Sequence, residues 1–273
     1  MKYSKEFKAL LDNMRHGYVG HGNPNAEILL MGQESAIDPK TNAEQYAAEV
    51  EGNAEQWRVI VSNGIGYETV DHIKIEYGLP LHPWANQKFQ VRNEIQANKF
   101  RGEKGTARTW YNYQKLINRI FELYSEERKP MTKDDFLDFH RLSFHSDMSA
   151  VASKKHDAKN EVAVRSVLER VSLFSNDFFR SFPIVIAAVR HFPRDTYGDG
   201  YFGDVFGVEF LGNEEIESGK WINVSIRKDD ARPMLLIHTP QFSAAISDRY
   251  LDQIAKRVVD FAREHIINLF PEE

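Results

Sequence analysis

The chain is 273 residues long, 42% hydrophobic and 12% aromatic, with a formal net charge of −5 and no cysteine. That length suits one large α/β domain or, as the lesser alternative, two small ones, and the apolar content argues against a disordered chain. The lack of cysteine removes disulfides, thiolate zinc sites, iron–sulfur clusters and a cysteine nucleophile, while the mild acidity points away from a protein that coats nucleic acid nonspecifically and leaves room for a local basic groove.

In chain order, Lys2 to Met14 place apolar side chains at helical spacing. Charges run through the segment "MKYSKEFKALLDNMRHG", so it is expected to be an amphipathic helix rather than a signal peptide. The glycines and proline of "HGYVGHGNPN" then force a turn. Ile28 to Met31 is a short apolar run bounded by turn residues, hence a buried strand. Asn42 to Ser62 is rich in helix formers, with a break expected at Gly52. The stretch from Gly64 to Gly105 mixes turns, Pro80, Pro83 and scattered aromatics without periodicity, and is taken as an insertion with short helices.

Thr106 can cap the next helix, whose apolar side holds Trp110, Tyr113, Leu116, Ile117, Ile120 and Phe121 and which ends near Ser125. "MTKDDFLDFHRL" is a short helix with Thr132 as N-cap and acids in its first turn. "SFHSDMSAV" is a second strand leading into a loop. Val162 to Phe179 is a long amphipathic helix, and Pro183 to Val189 a buried strand. Val205 to Leu211 and Trp221 to Ile226 alternate as a hairpin joined by "GNEEIESGK". Met234 to Ile237 is the last buried strand and Ser247 to Leu269 the last helix.

Strands alternating with long helices predict a three-layer α/β/α arrangement around a mostly parallel sheet, as a single domain over residues 1–273 with the insertion at about 64–105. The longest apolar runs, "FPIVIAAV" and "PMLLIH", are too short to span a bilayer. A cytoplasmic protein without a membrane partner is expected, its oligomeric state open.

In such sheets ligands sit beyond the carboxyl ends of the strands. Gly32, Gln33, Glu34, Ser35 and Asp38 follow the first strand. Arg190, His191, Arg194 and Asp195 follow Val189. His238, Thr239, Gln241 and Ser243 follow Ile237. If the strands are parallel, a carboxylate, an imidazole and an amide converge on one rim, where they can activate water, stabilise an anion and read a polar ligand edge. The plainer reading makes Glu34 a helix cap and His238 a strand-end histidine.

"GNPNAEILLMGQES" resembles the first motif of the uracil-DNA glycosylase superfamily, where a strand runs into a Gly-Gln-Asp-Pro or Gly-Glu-Ala-Pro loop, and "LLIHTPQFSAAIS" is similar to its last motif, a strand followed by a His-Pro-Ser type loop and a helix. "TWYNYQKLINRI" resembles the middle region, where a helix follows the substrate loop. The likeness runs from about Gly20 to Ile266. It implies a uracil-DNA glycosylase-like fold and base excision in DNA repair: a base flipped from the duplex and its N-glycosidic bond hydrolysed. It also implies roles. Glu34 matches the catalytic acid that positions water, and His238 the histidine that steadies the departing base. Gly32, Gln33, Ser35, Asn112, Thr239 and Gln241 would contact substrate, with Asn112 standing for the asparagine that reads the uracil edge. The partner would be DNA with a modified base or a nucleobase-containing small molecule, with no cofactor and no metal.

The match has departures. Glu34 is one methylene longer than the aspartate of the best-known branch, Ser35 replaces the loop's proline, and the last loop runs His-Thr-Pro. Glu34 in place of the usual acid, the lost proline and the net negative charge motivate an alternative on the same fold, a non-catalytic module that binds a nucleotide, nucleic acid or protein. A hydrolase of small nucleosides is a third reading.

Other signals are set aside. "DTYGDGYFGD" lacks the oxygen ligands of a calcium loop and is expected to be a solvated loop. His145, Asp147, His156 and Asp157 match no metal spacing, although Ser146 or Asp147 reaches the cleft if the second strand is parallel. The rings of "RTWYNYQK" divide between core packing and ligand contact. Gly102 and Gly105 lack the spacing of a phosphate loop, and no Gly-x-Ser-x-Gly elbow occurs.

Overall fold

The computed structural model describes residues 1–14, 17–35, 37, 39–70, 79–83, 107–125, 137–151, 161–229 and 231–271. Asp38, the proposed caps Thr106 and Thr132, most of the 64–105 insertion, and His156 with Asp157 lie outside them.

The chain opens with α1 (Lys5–Asn13), capped by the Ser4 side chain, which accepts from Phe7 N. A two-residue strand β1 (His21–Gly22) precedes β2 (Ile28–Gly32). Next come α2 (Ala43–Tyr46), a π-helical turn (Ala47–Glu51) and α3 (Asn53–Ser62), with the expected break at Gly52. Further on lie α4 (Tyr67–Val70), α5 (Arg108–Ser125), α6 (Phe139–Leu142), β3 (Phe144–Asp147), α7 (Glu161–Phe174), α8 (Asp177–Arg180) and β4 (Ile184–Ala187). The last third holds α9 (Phe192–Thr196), α10 (Tyr201–Phe206), β5 (Glu209–Glu217), β6 (Lys220–Arg227), β7 (Met234–His238) and α11 (Asp248–Glu264).

Among the described residues the strands form one sheet in the order β1-β3-β2-β4-β7-β6-β5. The expected parallel character holds only at its centre. β3–β2, β2–β4 and β4–β7 are parallel, whereas β1–β3, β7–β6 and β6–β5 are antiparallel, so the sheet is mixed. The reason is local. The parallel strands are joined through helices, while β5, β6 and β7 follow one another through short connections that reverse the chain.

Alternation along the central strands builds two cores. Leu29, Met31, Val185, Ala187 and Leu236 face α1, α3, α7 and α8, where Phe7, Trp57, Phe174 and Phe178 pack. Ile28, Leu30, Ile184, Ile186 and Ile237 face α5 and α11, where Leu116, Ile120, Ile254 and Val258 pack. Helices therefore cover both faces, as two-sided burial of these strands requires. The Ser247 side chain caps α11 by accepting from Tyr250 N. Arg119 ties α5 to α11 through Asp252 (2.6 Å) and Asp248 (3.0 Å).

Three segments depart from expectation. The Val162–Phe179 helix is broken after Phe174, because Asn176 caps a new helix by accepting from Phe178 N at 3.0 Å. Val205 belongs to α10, and the hairpin strands run through "GNEEIESGK" to a tight turn at Ser218–Gly219. β5 is an edge strand exposed or half-buried along its length, so its polar side chains imitate a loop. The segment expected as a solvated loop contains the end of α9 and most of α10, with the Tyr201 ring fully buried.

No helix of the described residues is long and apolar enough to cross a membrane.

Candidate functional site

The carboxyl ends of β2 and β3 open into a cavity of about 610 Å³. Gly32, Gln33, Glu34 and Ser35 line it from β2, and His145 and Asp147 from β3. Trp110 and Tyr113 of α5 contribute aromatic walls together with Phe242, which follows β7. Gln45, Glu49, Asn53 and Gln56 line the cavity as well. Their spacing puts them on one helical face, which runs through the π-helical turn where Gly52 N donates to Ala47 O at 2.8 Å.

The two loops singled out in the sequence touch each other. Gln241 Nε2 donates to Gln33 Oε1, and Gln33 Nε2 donates to Val189 O at 2.7 Å. One amide thus locks the ends of β2, β4 and β7 at the rim. The turn before β1 is fixed by α3: Asn53 Oδ1 accepts from Val19 N (2.9 Å) and Gly20 N (3.2 Å), and Trp57 Nε1 donates to Gly20 O (2.9 Å). That turn places Tyr18 and His21 on the cavity wall, with Tyr18 Oη and His21 Nδ1 hydrogen-bonded at 2.9 Å.

Asp147 is the residue that sequence reasoning held only conditionally. Parallel pairing of β3 with β2 sets Asp147 opposite Gly32. Phe144 faces the α7 side, so His145 and Asp147 take the α5 side by alternation. Asp147 is 5% exposed, and its Oδ1 lies 3.5 Å from His145 Nε2. The carboxylate lies directly over Gly32, where a Cβ would fall 2.1 Å from Asp147 Oδ1 and 3.2 Å from His145 Nε2. Gly32→Ala is therefore expected to displace Asp147 and to destabilise the fold by about 1–3 kcal/mol, the range for overpacking a core. Urea denaturation checks this; unchanged stability would mean that the strand end has room to spare.

Protonation follows from burial. Burial, reinforced by the Asp147 charge, pushes the Glu34 carboxyl up to about 7. Burial also pushes Asp147 up to about 7, against the opposing charge of Arg170. Burial lowers His145 to about 3, which keeps its imidazole neutral. Two carboxyls that titrate near neutrality can supply a general base and a general acid in one cavity. Among the described residues no group of three or more His, Asp or Glu side chains is placed to hold a metal ion.

Of the remaining candidates, only Ser243 is among the described lining. His238 is not among the described lining. Its Nε2–H donates to Arg190 O, its Nδ1 is 3.2 Å from Asn223 Nδ2, and its ring packs against Phe202 and Trp221. Burial lowers it to about 4, so it is neutral. Asn112 is buried behind the wall and donates to Phe242 O at 2.7 Å, which fixes the loop after β7. Thr239 is buried and donates to Pro240 O at 2.8 Å. His191 stacks on Trp221, and Arg194 pairs with its exposed neighbour Asp195. Ser243 lines the cavity.

No family model, curated protein or solved structure matches this chain. What the site can do therefore rests on its own chemistry: a cavity lined by the Trp110, Tyr113 and Phe242 rings, by the Gln33 and Gln241 amides and by the Glu34 and Asp147 carboxyls.

Proposed function

We propose that this chain is a uracil-DNA glycosylase-like enzyme that hydrolyses the N-glycosidic bond of uracil or another modified base, carried by DNA or by a nucleobase-containing small molecule. The observation that carries the reading is the Gln33–Gln241 bond, which joins the first and last motif loops beside a cavity that Glu34 and Asp147 line. In this reading the base lies between the Trp110, Tyr113 and Phe242 rings, with the Gln33 and Gln241 amides along its edge. Glu34 in its ionised form takes a proton from water as the oxygen attacks the sugar carbon, and the carboxylates offset the positive charge of the sugar. Asn112 positions the Phe242 loop rather than touching the base. His238 supports the Arg190 turn at the rim.

The position of His238 outside the described lining favours a second reading, the non-catalytic module that binds a base without cleaving it. One assay separates the two. The chain is incubated with oligonucleotides containing uracil, hypoxanthine or other modified bases and with free nucleosides, and released base is quantified. Release from oligonucleotides supports the glycosylase, and release from nucleosides alone the small-molecule hydrolase. Nucleobase binding with no release from any substrate overturns the hydrolytic reading in favour of the module.

A further inference from the structure

Two polar atoms on cavity residues stand apart from the rest. Gln56 Oε1 and His145 Nδ1 are buried and have no hydrogen-bond partner among the described residues, although both residues line the cavity. Their polar neighbours are tied into the scaffold. Gln33 is bonded to Gln241 and to Val189 O. Asn53 holds the Val19–Gly20 turn through both ends of its amide, and Tyr18 Oη bonds to His21 Nδ1. A buried polar atom without a partner costs free energy, and native proteins leave few of them. Two on one cavity point to a ligand that supplies the partners.

The polarity of each atom is set by what holds the other end of its side chain. Gln56 Nε2 donates to Ala48 O, in the π-helical turn, at 3.0 Å. Turning the amide over would set Oε1 against that carbonyl, so the free end is an acceptor. His145 is 4% exposed, and its Nε2 lies 3.5 Å from Asp147 Oδ1. The carboxylate favours the tautomer with hydrogen on Nε2, and burial keeps the ring neutral, so Nδ1 presents a lone pair.

Two acceptors call for two hydrogens. An exocyclic amine on a flat heterocycle carries both on one nitrogen. A keto base offers a single ring N–H beside a carbonyl, and that carbonyl would meet an acceptor. The Trp110, Tyr113 and Phe242 rings stack on either kind of base, so the choice falls to the polar atoms. We infer that the cavity selects a nucleobase carrying an exocyclic amine, of the cytosine or adenine type, over its keto counterpart, with Gln56 Oε1 and His145 Nδ1 accepting the amine hydrogens. This rests on the base-pocket reading above and narrows its ligand class.

Calorimetry on the wild-type protein tests this with two matched pairs, cytidine against uridine and adenosine against inosine, in each of which a keto oxygen replaces the amine. The amine is expected to bind about ten- to a hundredfold more tightly in at least one pair, the ratio that pairing a buried acceptor supplies. Gln56→Met keeps the length of the side chain without its acceptor, and His145→Phe keeps a ring without its nitrogens. Each should lower the ratio about tenfold, with folding checked by circular dichroism. The wild-type ratios decide the ligand class even where a variant fails to fold. Equal affinity within both pairs, or binding of none of the four nucleosides, overturns the inference. An amine preference that survives in both folded variants overturns the assignment to Gln56 and His145. Base release is read separately, from oligonucleotides carrying 5-hydroxycytosine or 5-hydroxyuracil. Amine preference with no release from either, or from the panel above, supports the ligand class and overturns the hydrolysis. Equal release from both, with equal nucleoside affinities, supports the hydrolysis and overturns the amine selectivity.

Discussion

Glu34→Gln is expected to lower base release by about 10²–10⁴-fold, the range for loss of a general base, while the protein folds normally. Glutamine keeps the shape of the side chain at the mouth of the β2 loop but can neither take a proton nor offset a positive sugar. Base release by the wild type should rise with pH through about 7, the value to which burial and Asp147 push Glu34, because the ionised form does the work. Asp147 titrates in the same range, so the apparent value belongs to the pair.

Stability supplies an independent check with a definite sign. The folded pKa of Glu34 lies above its ordinary 4.5, so the native state binds this proton more tightly than the unfolded chain. That contribution is fully present below 4.5 and is lost as pH rises through about 7. The E34Q variant lacks the term, so its stability relative to wild type should climb across that window. His145 and His238 have lowered values and slope the opposite way, which is why the difference between variant and wild type is the quantity to measure. A variant that keeps full activity and shows no relative gain would remove Glu34 from the chemistry.

What could be seen in the sequence was what burial on two sides dictates. The apolar runs Ile28 to Met31, Pro183 to Val189 and Met234 to Ile237 each hold a central strand, Ile28–Gly32, Ile184–Ala187 and Met234–His238. β5 was hidden because an edge strand has little core to face and its glutamates resemble a loop. The first-motif loop was legible because its residues follow a buried strand directly, and Gly32 through Ser35 reach the cavity together. Asp147 depended on strand direction: only parallel pairing with β2 sets it over Gly32, and no local pattern reveals pairing. His238 illustrates the converse. Met234 and Leu236 point to the α7 side and Leu235 and Ile237 to the α5 side, so His238 follows Leu236 toward Phe202, on the face opposite Tyr113 and Phe242. A position after a strand places a residue at the rim, but parity decides which side of the rim it serves.

Arg170→Met is expected to cost about 3–5 kcal/mol, the range for breaking a buried charged network by removing one partner. Arg170 is 6% exposed, and its planar group donates to three acceptors from two segments: the Tyr18 carbonyl before β1, and Ser146 Oγ with the Asp147 carbonyl at the end of β3. Ser146 Oγ passes the link on by donating to Val19 O at 2.7 Å. Methionine fills the volume but supplies no donor, so three buried acceptors lose theirs at once. Lysine keeps the charge without the fork that reaches all three, and R170K should fall between wild type and R170M. The second consequence is electrostatic. Arg170 opposes the rise of the Asp147 pKa, so its removal should move Asp147, and with it the ascending limb of base release, to higher pH. Linear extrapolation of urea denaturation gives the stability change, and the pH profile gives the shift. If R170M loses the stability but leaves the profile in place, Arg170 holds the β3 end by hydrogen bonds alone and its charge does not govern the carboxyl above it.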